Sequence, residues 1–242
     1  MLASVTTMRP DIMGVIGSAF RGAWPLMERR MFVYWILAAL TALGVVFGMW
    51  LGEFAGPSDQ QAVHLEIAAQ PVAAFAAIAI FFILPEVIRV VRPAFKMTFI
   101  LLLATIGIGF VVGIATEIGF VLLIWPGIWI SVKLAFAMYA YLLDQGENPF
   151  RESWALTTGH FWETLGFMVL LSIFVGLIEL VLLGLPLALA WVFPSGAVVL
   201  SPLAFLGLVY VYYVTLLAYV RWLLELRGLS ERGLPTSPIS IH

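Results

Sequence analysis

Long apolar runs separated by short polar stretches dominate the chain. As helices, these runs are long enough to cross the roughly 30 Å hydrocarbon core of a bilayer. They lie at about 31–51, 71–91, 97–115, 119–143, 164–187 and 203–224. The pattern therefore predicts an all-α polytopic membrane bundle with six transmembrane helices.

The third and fourth runs form one apolar stretch, 97–143, about twice as long as a single crossing. Within it we expect a tight hairpin. Thr116, Glu117 and Gly119 are the strongest interruption at the right depth, so we predict that the chain turns at 115–119.

The positive charges give the orientation of the spans. Short loops rich in Lys and Arg stay on the cytoplasmic side of a membrane. All twelve such residues except Lys133 fall in four stretches beside the apolar runs, at 9–30, 89–96, 151 and 221–232. The segments between the other runs, 52–70 and the uncharged 191–201, contain neither Lys nor Arg and are predicted to lie outside. Both termini are therefore predicted to be cytoplasmic. The expected parts are an amphipathic N-terminal segment at 1–30, a membrane domain at 31–227 and a disordered tail at 228–242.

Two cytoplasmic segments have the pattern of amphipathic interfacial helices. In the first, apolar residues recur at helical spacing between Ile12 and Trp24. The second begins at Asn148 and Pro149, which suit the N-cap and the first helical position, and Gly159 suits its end. We expect both helices to lie at the inner surface of the membrane.

The same two segments share the pattern Phe-Arg-x-x-Trp-x-Leu, at 20–26 and 150–156. The offset of 130 residues also places span one on span five and span two on span six. An ancient internal duplication and a chance match between aromatic-rich segments both account for this similarity.

Composition excludes several classes of function. Hydrophobic residues make up 63% of the chain and charged residues 11%, with a mean hydropathy of +1.07, which excludes an ordinary soluble domain. A net charge of −2 gives no basic surface for nucleic acid. Cysteine is absent, so disulfides, thiol catalysis and cysteine zinc sites are excluded. The chain lacks the HExxH and Gly-x-Ser-x-Gly motifs, and its histidines lie far apart, so we expect no enzyme, metal or cofactor.

Lys133 is the main candidate for a functional polar group inside the membrane. An unpaired charge there costs at least about 2.5 kcal/mol on insertion scales, so we expect a carboxylate partner, and Glu86 and Glu179 are the available ones. Three roles for Lys133 are open. It could form a site for a substrate, a lipid or a proton; it could form an ion pair that fixes helix packing; or its side chain could extend to the membrane interface. Nearby, Pro126 and Gly127 indicate either a helix break that frees backbone groups or a simple kink.

Two arginines are candidates for contacts with lipid headgroups. Arg21 lies near Trp24, and Arg151 lies near Trp154, on the predicted interfacial helices. Each arginine could bind an anionic lipid phosphate at the inner leaflet. The alternative is that each arginine serves only as a determinant of orientation.

A family resemblance covers about a fifth of the chain. It rests on Ile124-Trp125-Pro126-Gly127-Ile128-Trp129, on Lys133, and on the segment Phe-Arg-Glu-Ser-Trp-Ala-Leu-Thr-Thr-Gly at 150–159. This region resembles two bacterial groups, the membrane domain found beside glycerophosphodiester phosphodiesterases and the YciC-like inner-membrane proteins. The resemblance implies a multi-pass module of the bacterial inner membrane without hydrolase chemistry, because that activity belongs to a separate soluble domain.

Three functions remain open. The first is a non-enzymatic structural or accessory module that interacts with membrane lipids and with other membrane protein subunits or copies of itself. The second is a small transporter or lipid-handling protein with a Lys133–carboxylate site, which would need a wet cavity. The third, a membrane enzyme, would have to work without any recognisable motif.

Overall fold

The computed structural model describes residues 11–52, 60–144, 148–192 and 194–228. This part of the chain is all-helical, as predicted, and contains no β-strand. Its helices are α1 Ile12–Glu28, α2 Met31–Gly52, α3 Gln60–Val91, α4 Phe99–Leu122, α5 Ile124–Leu134, α6 Ala137–Asp144, α7 Pro149–Thr157, α8 Phe161–Val192 and α9 Pro194–Leu226. The predicted disordered tail, apart from Gly228, and the centre of the first outer loop lie outside the described residues.

Four helical segments are long and apolar enough to cross a membrane: Phe99–Leu122, Ile124–Leu143, Phe161–Leu182 and Leu200–Leu226. A fifth is counted if α1 and the first part of α2, whose axes differ by 83°, form one bent span. The protein is therefore a helical protein with several apolar helices suited to a membrane. The predicted second span, inside α3, is not among those found in the described residues.

Both segments predicted to be amphipathic are helical, and their place at the membrane interface stays a prediction. In α1 one stripe is buried, which includes Val15, Ile16, Ala19 and Ala23, as the helical spacing predicts. In α7 the Asn148 side chain accepts hydrogen bonds from the amides of Phe150 and Arg151, both at 3.1 Å. Gly159 follows α7 with a φ of +92°, a conformation that glycine adopts without strain. Both ends of α7 were therefore predicted correctly.

The predicted turn at 115–119 is wrong, because α4 continues through these residues to Leu122. In an apolar medium the helix satisfies its own backbone groups, and Thr116 and Glu117 do not disturb those bonds. The interruption is a single extended residue, Leu123, between α4 and α5. Beside this residue, Gly119 of α4 and Gly127 of α5 allow the two helices to pack closely. A Cβ atom on Gly119 would lie only 2.8 Å from the Cα of Gly127.

Pro126 and Gly127 lie inside the first turns of α5 and do not break it. Proline is tolerated there because the amides of the first turn have no partner within the helix. The actual break in the predicted fourth span lies at 135–136, between α5 and α6. The predicted hairpin connection and helix break are thus both displaced along the chain.

Two predicted loops are shorter than expected. α3 begins at Gln60 and α9 at Pro194, so much of 52–70 and of 191–201 is helical. Pro194 takes the first helical position, which proline favours. The composition of these segments therefore does not mark the ends of the helices.

The described residues divide into two compact units. The first comprises 11–18, 91–144, 148–170 and 218–228, and the second comprises 19–52, 60–90, 171–192 and 194–217. In the first unit, Phe167 stacks on Trp222 with ring centroids 4.8 Å apart, and Tyr139 stacks on Tyr219 at 5.5 Å. In the second unit, the hydroxyl groups of Tyr34 and Tyr213, both buried, share a hydrogen bond of 2.8 Å.

Candidate functional site

The break between α5 and α6 is bridged by a side chain from α7. The Ser153 hydroxyl donates a hydrogen bond to the carbonyl oxygen of Lys133 at 2.8 Å and accepts one from the Phe136 amide at 3.1 Å. Ser153 is fully buried, so these two bonds replace backbone bonds that the break removes. α7 is thereby attached to the residue that carries the candidate ammonium group.

Lys133 is buried, with 6% of its surface exposed. Its Nζ donates to the Thr158 hydroxyl oxygen at 3.0 Å and lies 5.5 Å from the centroid of the Trp154 ring. The Thr158 hydroxyl donates in turn to the Trp154 carbonyl oxygen at 2.7 Å. The ammonium group therefore has one hydroxyl acceptor and one aromatic face in the first unit.

Trp154 links Lys133 to a surface groove. The edge of one indole ring meets the face of the other where Trp129 packs against Trp154, with centroids 4.6 Å apart. On α7, Trp154 also lines a groove of about 570 Å³. The groove is lined by Leu134, Asn148, Phe150, Arg151, Trp154 and Ala155. The Arg151 and Trp154 pair singled out from the sequence is therefore part of one concave surface.

The equivalent pair in α1 has different surroundings. Trp24 packs against the Tyr210 ring at 6.4 Å, and the Tyr210 hydroxyl donates to the carbonyl oxygen of Phe20 at 3.0 Å. Arg21 is exposed. The shared sequence pattern is thus used for helix packing in α1 and for lining a groove in α7.

Glu86, one of the predicted partners of Lys133, lies in the second unit with two basic partners of its own. Its Oε1 accepts hydrogen bonds from Arg30 Nη2 at 2.9 Å and from Arg89 Nη1 at 2.7 Å. Glu86 is 7% exposed, so the two guanidinium groups compensate a buried carboxylate. Glu179 lies in the α8 part of the second unit, and the pairing of Lys133 with either glutamate stays a prediction.

The roles of Ser153, Thr158 and Arg30 were not predicted from the sequence. Ser153 and Thr158 lie five residues apart beside Trp154, and the only signal for them was their place in the segment that carries the family resemblance. Arg30 and Glu86 are 56 residues apart, and nothing local connects them. In the described part of the chain, no group of three His, Asp or Glu side chains is placed to hold a metal ion.

Comparisons with protein families, with curated proteins and with solved structures found no match for the chain.

Proposed function

We propose that the protein is a non-enzymatic, multi-pass protein of the bacterial cytoplasmic membrane that acts as a structural or accessory module for other membrane proteins. The observation that carries the proposal is the exposed surface of α4. Phe99, Ile100, Phe110 and Val121 leave between 68% and 84% of their surfaces exposed. Such a surface is stable only against lipid or against other apolar helices.

The glycines of α4 favour protein as one neighbour of this surface. Gly109 and Gly113 are spaced as in the Gly-x-x-x-Gly motif, and a Cβ atom on either would meet no other atom within 4 Å. Small residues of this kind let a second transmembrane helix approach the backbone closely. The partner is another membrane subunit or a second copy of the chain.

Native mass spectrometry after gentle detergent extraction tests whether the protein associates with another membrane protein or with a second copy of itself. A protein partner or second copy should stay bound in stoichiometric amount and should dissociate in Gly109→Leu. Val111→Leu is the matched control, because Val111 is exposed on another face of α4 and its replacement leaves the glycines unchanged. A monomer without any protein partner, or equal loss in both variants, would exclude the proposal.

The proposed topology has six spans, with both termini in the cytoplasm. It is supported by the distribution of Lys and Arg and by the amphipathic α7 between α6 and α8. Since the chain has no cysteine, single cysteines report sidedness directly. Ser58→Cys should react with an impermeant maleimide in intact cells, and Ser237→Cys only after permeabilisation. The reverse labelling pattern would show that the orientation in the membrane is opposite to the proposed one.

We also propose that the chain is related to the YciC-like proteins and to the membrane domain of the phosphodiesterases. The residues that carry the resemblance include Lys133 and Ser153, which join α5 to α7, and Gly159, which follows α7 with a positive φ. A shared motif that builds one junction favours a common architecture. Disulfide crosslinking of Lys133→Cys with Ser153→Cys tests whether this junction exists in the membrane.

A small transporter or lipid-handling protein is the second candidate. The observation in its favour is Lys133, a buried ammonium group whose described partners are a hydroxyl and an indole ring. A cation in that setting can attract an anionic substrate or headgroup. Uptake or lipid transfer that is lost in Lys133→Met while the folded protein persists would support this function over the first.

A further inference from the structure

The groove beside α7 combines apolar walls with one positive charge. Leu134, Phe150, Trp154 and Ala155 form most of its lining, and Arg151 is the charged residue. The side-chain oxygen of Asn148, also in the lining, caps the first amides of α7. The groove therefore suits a ligand that is apolar along its length and negatively charged at one end.

Arg151 is available to such a ligand. Within the part of the chain that the structure describes, its exposed guanidinium group has no hydrogen bond or ion pair. The adjacent carboxylate, Glu152, is paired with Arg227 from the end of α9. By contrast, Arg30 and Arg89 both bind Glu86. Among the described residues that line the groove, no carboxylate competes for the charge of Arg151.

Lys133 reinforces this electrostatic preference without lining the groove. Its ammonium group lies near the face of the Trp154 ring, and Trp129 contacts the same indole. The Trp154 wall is therefore fixed in place, with a second cation next to it. Both charges favour an anion and disfavour a zwitterion or a neutral lipid.

We propose that this groove binds one phospholipid with an anionic headgroup, its phosphate on Arg151 and the start of an acyl chain along Phe150, Trp154 and Leu134. The volume of about 570 Å³ lies within the range of about 300–1,000 Å³ that is usual for small-molecule sites. Arginine binds phosphate through two parallel N–H donors, and basic residues at the cytoplasmic surface attract anionic lipids. The inference requires a membrane-embedded protein and is independent of the accessory function proposed above.

The site can be tested by native mass spectrometry of the full chain in mild detergent. Phosphatidylglycerol and phosphatidylcholine with identical acyl chains are titrated separately. We expect preferential binding of phosphatidylglycerol and a loss of about tenfold or more in its affinity in Arg151→Gln, as for the removal of a charge-assisted hydrogen bond. Arg21→Gln is the matched control, because it removes an exposed arginine from the same sequence pattern in α1. The affinity of Arg21→Gln for phosphatidylglycerol should stay within about twofold of the affinity of the unsubstituted protein.

A second variant distinguishes lipid binding in the groove from non-specific electrostatic attraction of lipids to the protein surface. Ala155→Trp fills the groove, keeps all charges and replaces an exposed residue on α7. We expect it to abolish specific phosphatidylglycerol binding while the melting temperature in detergent stays unchanged. Equal binding of the two lipids, equal losses in Arg151→Gln and Arg21→Gln, or full binding in Ala155→Trp would each overturn the proposal. Protein partners retained by α4 are counted in the same spectra, so failure of the lipid site and failure of the accessory function are distinguishable.

Discussion

The Ser153 hydroxyl donates a hydrogen bond to the carbonyl oxygen of Lys133, 2.8 Å away across the junction of α5 and α7. The hydroxyl oxygen of Ser153 also accepts a hydrogen bond from the Phe136 amide. One small side chain thus closes the break between α5 and α6 and attaches α7 to it. Since all three groups are buried, loss of the hydroxyl leaves a carbonyl and an amide without their partners.

We therefore expect Ser153→Ala to lower the free energy of unfolding by about 1–3 kcal/mol, the usual cost of a buried polar group without a partner. The measurement is the thermal or denaturant unfolding of the purified protein in detergent. Ser131→Ala is the control, because the Ser131 hydroxyl only donates to the Gly127 carbonyl of its own helix. Equal stability of the two variants would contradict the bridging role of Ser153.

Lys133→Met should keep the fold and leave the melting temperature unchanged or raised. Methionine keeps the bulk of the side chain, and none of the described partners of Lys133 is a carboxylate. Removal of this buried charge therefore removes a cost of desolvation. Lys96→Met, at an exposed lysine, is the control for the loss of one positive charge. A large decrease in folded protein in Lys133→Met would instead reveal a carboxylate left without its cation.

Glu86→Gln should destabilise the protein, because the amide oxygen of glutamine still accepts hydrogen bonds but no longer carries the negative charge that faces Arg30 and Arg89. Both arginines are more than a third exposed, so solvent screens them and we expect a loss of only about 1–2 kcal/mol. The control is Glu117→Gln, at an exposed carboxylate on α4. Unfolding of the two variants should be compared at low and high salt. The Glu86 effect is expected to decrease with salt, and a salt-independent loss would contradict its electrostatic origin.

Gly119→Ala should loosen the junction of α4 and α5. Its Cβ atom would lie 2.8 Å from the Cα of Gly127, a contact with backbone that cannot rotate away. We expect a loss of about 1–3 kcal/mol in the free energy of unfolding, as for overpacking elsewhere. Gly107→Ala is the matched control on the same helix, since its Cβ atom meets nothing within 4 Å and alanine is the better helix former. If both variants unfold alike, the glycine contact has no role in packing.

The parts of the fold that local chemistry determines were predictable from the sequence. Asn148 and Gly159 mark the ends of α7 because capping and positive φ depend on the residue itself. The buried stripe of α1 follows from helical periodicity in the same way. The all-helical architecture follows from the long apolar runs.

Other features depend on contacts that the sequence does not reveal. The break between α5 and α6 falls at Ala135 and Phe136, where neither glycine nor proline marks it. It persists because Ser153, from a different helix, satisfies the backbone there. The groove beside α7 likewise requires Leu134 to lie next to Arg151, a consequence of that same junction. The predicted turn at 115–119 failed for the opposite reason, since polar residues on an exposed helix face do not interrupt its backbone bonds.

The shared hydrogen bond of Tyr34 and Tyr213 has a consequence for biosynthesis. The two residues are 179 positions apart, so at about 5–20 residues per second a ribosome takes roughly 10–40 s to deliver the second hydroxyl after the first. During that interval the second unit lacks its α9 part, and the Tyr34 hydroxyl is without its final partner. The second unit therefore completes its packing only when translation is nearly finished.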